Sequence, residues 1–222
     1  MTIRSTVLVA TLAVAGLAHA HGDVAPQAVD TSTLPAVGEE WLTENPYRAE
    51  AAGDEVWAEA IRVGASGYNQ NCARCHGLEG VSGGLAPDLR FLEAEEYGDE
   101  WYVERFRDGY TQNGITKMPA FGELLGQEAA WAIRTYIETR PDDHAMTEAT
   151  PELSDLRDAL ADGSADTGAT AARLREIASG IETLSGAPIA DSAAWRAANI
   201  LEAGDDAQAA AEVLTIGLSA AK

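Results

Sequence analysis

The feature that most constrains this chain is Cys72-Ala73-Arg74-Cys75-His76. Two thiols three positions apart share one face of a helical turn, and an imidazole follows at once. A redox dithiol, half of a zinc site and a covalent haem attachment all use paired cysteines. Zinc requires further ligands at matching spacing. The chain has no other cysteine, and beyond residue 20 only two other histidines, His21 and His144. A thioredoxin-like dithiol sits at a helix start after a strand, within a βαβ pattern that is absent here. Haem attachment uses both cysteines and the histidine: Cys72 and Cys75 reach the two vinyl groups of one porphyrin, and His76 falls beneath the iron as proximal ligand. The expected cofactor is therefore one covalently bound haem c.

A soft thioether suits the sixth position of haem iron and favours electron transfer over oxygen chemistry. Past residue 20 the methionines are Met118 and Met146. Met118 lies in Thr116-Lys117-Met118-Pro119-Ala120-Phe121-Gly122, a stretch too polar for core filling. Met146 follows the last helix of that region, in a polar segment beside His144. Met118 is the expected distal ligand, so the metal ligands are His76 and Met118. No set of side chains suggests a general acid, base or nucleophile, so an electron carrier is expected rather than an enzyme.

The rest of the chain frames this site. Residues 1–20 read as a signal peptide: Arg4 gives a basic start, Val7 to Leu17 is uncharged and apolar, and Ala18-His19-Ala20 supplies a cleavage site. The apolar run is too short to span a bilayer. The expected location is the periplasm, with no transmembrane segment in the mature form. Residues 21–53 read as an irregular arm with Trp41 and Tyr47 as docking points. Residues 54–141 form the haem-binding domain, with helices expected from Asp54, over 99–108, and from about Gln127 to Thr139, where Pro141 ends the last. Residues 77–90 and 109–122 read as loops. Residues 142–149 read as a linker, and 150–222 as an acidic, Ala-rich helical module. In that module Thr150-Pro151 starts the first helix and Asp191 caps a later one carrying Trp195. Trp101 and Trp131 are expected in the core or against the haem. Arg105, Arg107, Tyr110 and Asn113 are candidate partners of the haem propionates. His21, as the first mature residue, could chelate copper, but a copper oxygenase would need a second well-placed histidine and only His144 is spare.

Net charge sets the class of partner. The chain carries 36 acidic against 15 basic residues, a formal charge of -21, so nucleic acid is excluded as a partner. Only two lysines occur, Lys117 and Lys222. A basic patch on a redox partner would complement this surface, and the same acidity would equally serve to keep an abundant periplasmic protein in solution.

Further residues carry a resemblance. Gly64, Tyr68 and Cys72 at intervals of four, Ile133 and Tyr136 on the last helix, Pro87 eleven residues past His76, and Met118-Pro119 together resemble the class I c-type cytochromes. The resemblance covers residues 54–140 and implies an all-α class I cytochrome c fold around one haem, here with an added C-terminal α-helical module. It also implies that Pro87 donates its carbonyl to the His76 ring, and that Tyr68 belongs to the haem-binding set. His21-Gly22-Asp23-Val24, Glu44-Asn45-Pro46-Tyr47-Arg48 and Gly67-Tyr68-Asn69-Gln70-Asn71 are similar to the PedF-type cytochromes. Those accept electrons from periplasmic alcohol dehydrogenases that use pyrroloquinoline quinone. The implied donor is a quinoprotein alcohol dehydrogenase, and the implied acceptor a terminal oxidase or another cytochrome, with the carrier a monomer. The alternatives are a haem enzyme or gas sensor with a displaceable Met118, or a general respiratory shuttle. The acidic tail has no counterpart in that resemblance.

Overall fold

The computed structural model describes residues 26–204 and 206–220; the segment read as a signal peptide, and His21, lie outside them. Nine α-helices are present among the described residues: α1 Ala49–Ala52, α2 Asp54–Asn71, α3 Ala73–His76, α4 Glu96–Asp108, α5 Gly122–Glu138, α6 Asp143–Asp162, α7 Thr167–Ser179, α8 Ala193–Gly204 and α9 Ala207–Ala220. Short 3-10 turns occur at Leu78–Gly80 and Leu89–Phe91.

The haem-domain core rests on the crossing of α2 and α5. Asp54 and Glu55 in the first turn of α2 complement its N-terminal dipole, and Trp57, Ala60, Ile61, Gly64 and Tyr68 recur on one buried face. At the crossing α2 presents glycine. A Cβ on Gly64 would lie 2.0 Å from the Ala132 carbonyl oxygen, and one on Gly67 would meet Ile133 at 3.0 Å. The helices therefore approach backbone to backbone, and the Tyr68 and Tyr136 rings pack at 5.3 Å beside the contact. In α5 Gly126 takes φ 77°, which separates a first turn from the main helix. Helix α4 packs on α5, with the Tyr102 hydroxyl donating to the Ala130 carbonyl at 2.9 Å.

The arm is bound along this core. Tyr47 is 1% exposed and donates to the Pro35 carbonyl at 2.7 Å. Trp41 stacks toward Phe106, with ring centroids 6.4 Å apart. Beneath the arm lies a buried polar network. Arg134 pairs with Asp99 at 2.8 Å and Arg48 with Asp99 and Glu138 at 2.8 Å each. The Asn45 amide donates to Thr135 and Glu138. Burial pushes the Glu138 carboxyl above its ordinary range, against the pull of Arg134 and Arg48.

Three expectations are corrected. Residues 109–122 are not all loop: Tyr110–Gln112 (β1) and Ile115–Met118 (β2) pair antiparallel as a hairpin. Its turn residues, Asn113 at φ 53° and Gly114 at φ 75°, are residue types that tolerate the left-handed conformation a tight hairpin demands. Residues 142–149 are helical, not a linker, because Asp142 caps α6 through the His144 N–H and the helix runs on through Pro151. Asp191 does not cap α8; the Ser192 hydroxyl accepts from the Trp195 N–H at 3.1 Å, and Asp191 is buried between Arg140 and Arg196. Trp101 is 39% exposed beneath Arg105, whereas Trp131 is fully buried.

Helices α6 to α9 form a second core around Leu153, Leu160, Leu174, Ala194, Ala197, Leu201 and Leu214. The two cores touch. Trp195 meets Trp57 edge to face at 4.8 Å, and the Ser185 hydroxyl donates to the Glu138 carbonyl at 2.5 Å. The Asp191 N–H donates to the Thr139 carbonyl at 2.9 Å.

Candidate cofactor site

Helix α2 delivers the motif directly. The Cys72 N–H closes the helix onto the Tyr68 carbonyl at 2.8 Å, and Cys75 and His76 bond back to the Cys72 carbonyl at 3.1 and 3.0 Å. The single turn α3 thus carries Cys75 and His76, with Cys72 at its N-terminal cap. Cys72 and Cys75 are free and half-buried. Burial, and then the neighbouring Cys75, pushes the Cys72 thiol up to about 12, so it is a neutral thiol.

His76 is oriented by its neighbours. Its Nδ1 lies 2.9 Å from the Pro87 carbonyl oxygen. A carbonyl can only accept, so Nδ1 carries the proton and Nε2 keeps its lone pair for a metal. Pro87 is held in turn by the turn that follows it: the Asp88 carboxylate accepts from the Arg90 and Ser82 backbone N–H groups at 3.0 and 3.4 Å. The Ser82 hydroxyl donates to the Ala86 carbonyl at 2.5 Å. On the other side of His76, Gly77 takes φ 82°, and a Cβ there would lie 1.9 Å from the Val81 carbonyl oxygen. Tyr68, whose ring is fully buried, donates its hydroxyl to the Gly77 carbonyl at 2.7 Å. Tyr68 therefore acts on the loop next to His76.

Met118 is the last residue of β2, half-buried and packed against the haem-domain core. Gly109 makes its position possible: at φ 69° a Cβ would lie 2.5 Å from the Met118 carbonyl oxygen and 2.8 Å from the Ala120 nitrogen. Met146, by contrast, is 6% exposed within the C-terminal core, and His144 is exposed, 3.7 Å from Glu148. The propionate candidates have other engagements. Arg105 pairs with Glu104 at 2.8 Å and stacks 5.5 Å from both Trp101 and Tyr110, while Arg107 sits 5.3 Å over Trp41. Asn113 shapes the hairpin turn.

This donor set fits a covalently attached haem: two free thiols in one turn, and an imidazole whose tautomer leaves Nε2 available. Sequence reasoning missed Gly109, Glu79 and Arg140, which shape the loops on either side. Only Gly109 left a trace, as a glycine between α4 and the hairpin.

Comparison with known proteins agrees with this chemistry. Residues 59–137 match the family model described as cytochrome C oxidase, cbb3-type, subunit III. Cytochrome c550 of Pseudomonas aeruginosa is 50% identical over 137 residues, which cover 62% of this chain and 92% of that protein. Two Pseudomonas putida proteins are similar over shorter segments. Quinohemoprotein alcohol dehydrogenase ADH-IIG is 33% identical over 84 residues, 38% of this chain and 11% of its own length. Quinohemoprotein alcohol dehydrogenase ADH IIB is 31% identical over 99 residues, 43% of this chain and 14% of its own. No solved structure matches.

Proposed function

Because the chain belongs to the c-type cytochromes, we propose that it is exported to the periplasm and accepts electrons there from a quinoprotein alcohol dehydrogenase, and that His76 and Met118 would hold the haem iron. The coarser role is that of a monohaem c-type electron carrier with covalently bound haem c. When bound, the haem supplies a one-electron ferric/ferrous couple, and the chain supplies binding, orientation and electrostatics.

Cys72 and Cys75 would carry the two thioether bonds. His76 would ligate through Nε2, with its Nδ1–H on the Pro87 carbonyl raising the ring's basicity. That hydrogen bond is the single observation that carries the assignment. Met118 would supply a thioether to the iron, a ligand type that raises the potential. Tyr68 positions the loop after His76 through its hydroxyl bond to the Gly77 carbonyl. Export rests on residues 1–20; no helix among the described residues is long and apolar enough to cross a membrane.

The donor reading draws support from the arm motifs around Asn45 and Tyr47, and from the two relatives whose names join quinone, haem and alcohol oxidation in one chain. Onward transfer would go to a terminal oxidase or another cytochrome. Stopped-flow reduction of the ferric holoprotein by a purified pyrroloquinoline-quinone alcohol dehydrogenase tests the pairing. Fast second-order reduction that slows as salt rises is expected, since an acidic carrier docks by charge. A rate no higher than that with an unrelated periplasmic donor would contradict the pairing.

A further inference from the structure

The C-terminal module reaches the loops beside His76 through two arginines. Arg140, at the end of the haem domain, is 2% exposed. Its guanidinium lies 4.0 Å over the Tyr136 ring, and its Nε donates to the Tyr136 carbonyl at 2.9 Å. One terminal nitrogen bonds Glu79 at 2.7 Å; the other bonds Asp191 of the module, which Arg196 also grips. Glu79 lies three residues past His76 and takes φ 57°, a conformation a glutamate adopts only when held there. The second arginine, Arg90, is buried against the loop that presents Pro87. It pairs with Asp88 at 2.9 Å and reaches Asp143, the first residue of α6, at 2.8 Å. Both loops that orient the imidazole are thus pinned from the module's side.

A fully buried arginine between two carboxylates is a stiff link. Removing one acid leaves a buried charge underpaired, which forces the group to move. Here the displaced group would be the one holding Glu79 and, through residues 77–80, the backbone after His76.

We propose that Asp191 and Glu79 are positioning residues for the haem: through Arg140 they fix the loop beside His76, so the C-terminal module tunes the reduction potential. The proposal rests on the assignment of His76 as proximal ligand. Loosening the loop weakens the Nδ1–H bond to Pro87, makes the imidazole less basic and favours the ferrous state. Loss of a nearby negative charge acts in the same direction, so additivity separates the two causes.

Spectroelectrochemical titration of the holoprotein and of the Asp191→Asn, Glu79→Gln, double and Glu212→Gln variants tests this. Glu212 is an exposed acid of α9, so Glu212→Gln makes the same charge change away from the link. Each single linked variant should shift the one-electron equilibrium toward ferrous by about threefold or more, about 30 mV. The double should shift it little further, and Glu212→Gln should change it less than twofold. Deuterium exchange at the His76 Nδ1–H, followed by NMR, should be faster in both linked variants. Should Asp191→Asn not fold, Glu79→Gln, at a half-exposed side chain, carries the same two readouts. Unchanged potentials and exchange, or single shifts that simply add with unchanged exchange, would overturn the proposal. A wild-type protein without His76-ligated haem would instead overturn the assignment beneath it, and is recognised by its spectrum before any variant is made.

Discussion

Replacing Gly64 by alanine probes the contact on which the haem domain is built. The added Cβ would lie 2.0 Å from the Ala132 carbonyl oxygen, 2.5 Å from its carbon and 2.9 Å from the Tyr136 Cβ. All three are backbone or backbone-attached atoms, so no rotamer change relieves the clash and α2 must lift from α5. A separation of about 1 Å forfeits a quarter to a half of each dispersion contact, and over some tens of atom pairs that amounts to about 2 kcal/mol. Residual overpacking strain adds about 1–3 kcal/mol. Alanine's better helix propensity offsets about 1 kcal/mol. The net destabilisation is about 3 kcal/mol, which lowers Tm by about 6–12 °C in a chain of this size. The assay is thermal unfolding of the holoprotein followed by far-UV circular dichroism. Gly168→Ala, whose Cβ meets nothing nearer than the Asp166 carboxylate at 3.5 Å, serves as comparison and should be neutral or slightly stabilising. A Gly64→Ala protein within about 1 kcal/mol of wild type would refute the close crossing.

Three other perturbations address the polar network and the junction between the two cores. Arg134→Met leaves Asp99 and Glu138 to Arg48 alone and should cost about 3–5 kcal/mol in denaturant unfolding; an unchanged midpoint would show the network to be dispensable. Burial alone would raise the Asp191 carboxyl, but Arg140 and Arg196 outweigh it and hold it below its ordinary 3.8. A depressed carboxyl stabilises the fold above its unfolded value and loses that contribution as pH falls through the folded one. Tryptophan fluorescence should therefore report loosening around Trp195 below about pH 4, absent in Asp191→Asn; identical acid profiles would contradict this. A double-mutant cycle between Trp57 and Trp195 should give a coupling of about 0.5–1.5 kcal/mol, and zero coupling would deny the edge-to-face contact.

Local chemistry was the most legible part of the chain. Cys72, Cys75 and His76 are adjacent in sequence and need only one helical turn to converge, and the periodicity around Trp57 and Tyr68 marks α2 without outside help. Asn113-Gly114 also carried a hairpin signal, but the flanking strands are three and four residues long and largely exposed, so no alternation of apolar residues accompanies it. Pro151 reads as a helix start because proline lacks the N–H an interior position needs. It lies inside α6, where the hydroxyls of Thr147, Thr150 and Ser154 bond back to carbonyls four residues earlier. The buried charges were illegible for another reason. Asn45, Arg48, Asp99, Arg134 and Glu138 come from three distant segments, and each alone reads as a solvated surface residue. The link from Asp191 through Arg140 to Glu79 joins residues 51 and 61 positions apart, and only the folded arrangement brings them together.

The most direct test of the account is the visible spectrum of the exported protein, oxidised and dithionite-reduced, beside that of Met118→Ala. A sharp reduced alpha band, with a weak far-red ferric band that disappears in the variant, is the expected result and establishes a His76–Met118 haem c. No haem signal after expression with a working haem-attachment system, or a far-red band that survives Met118→Ala, would contradict it.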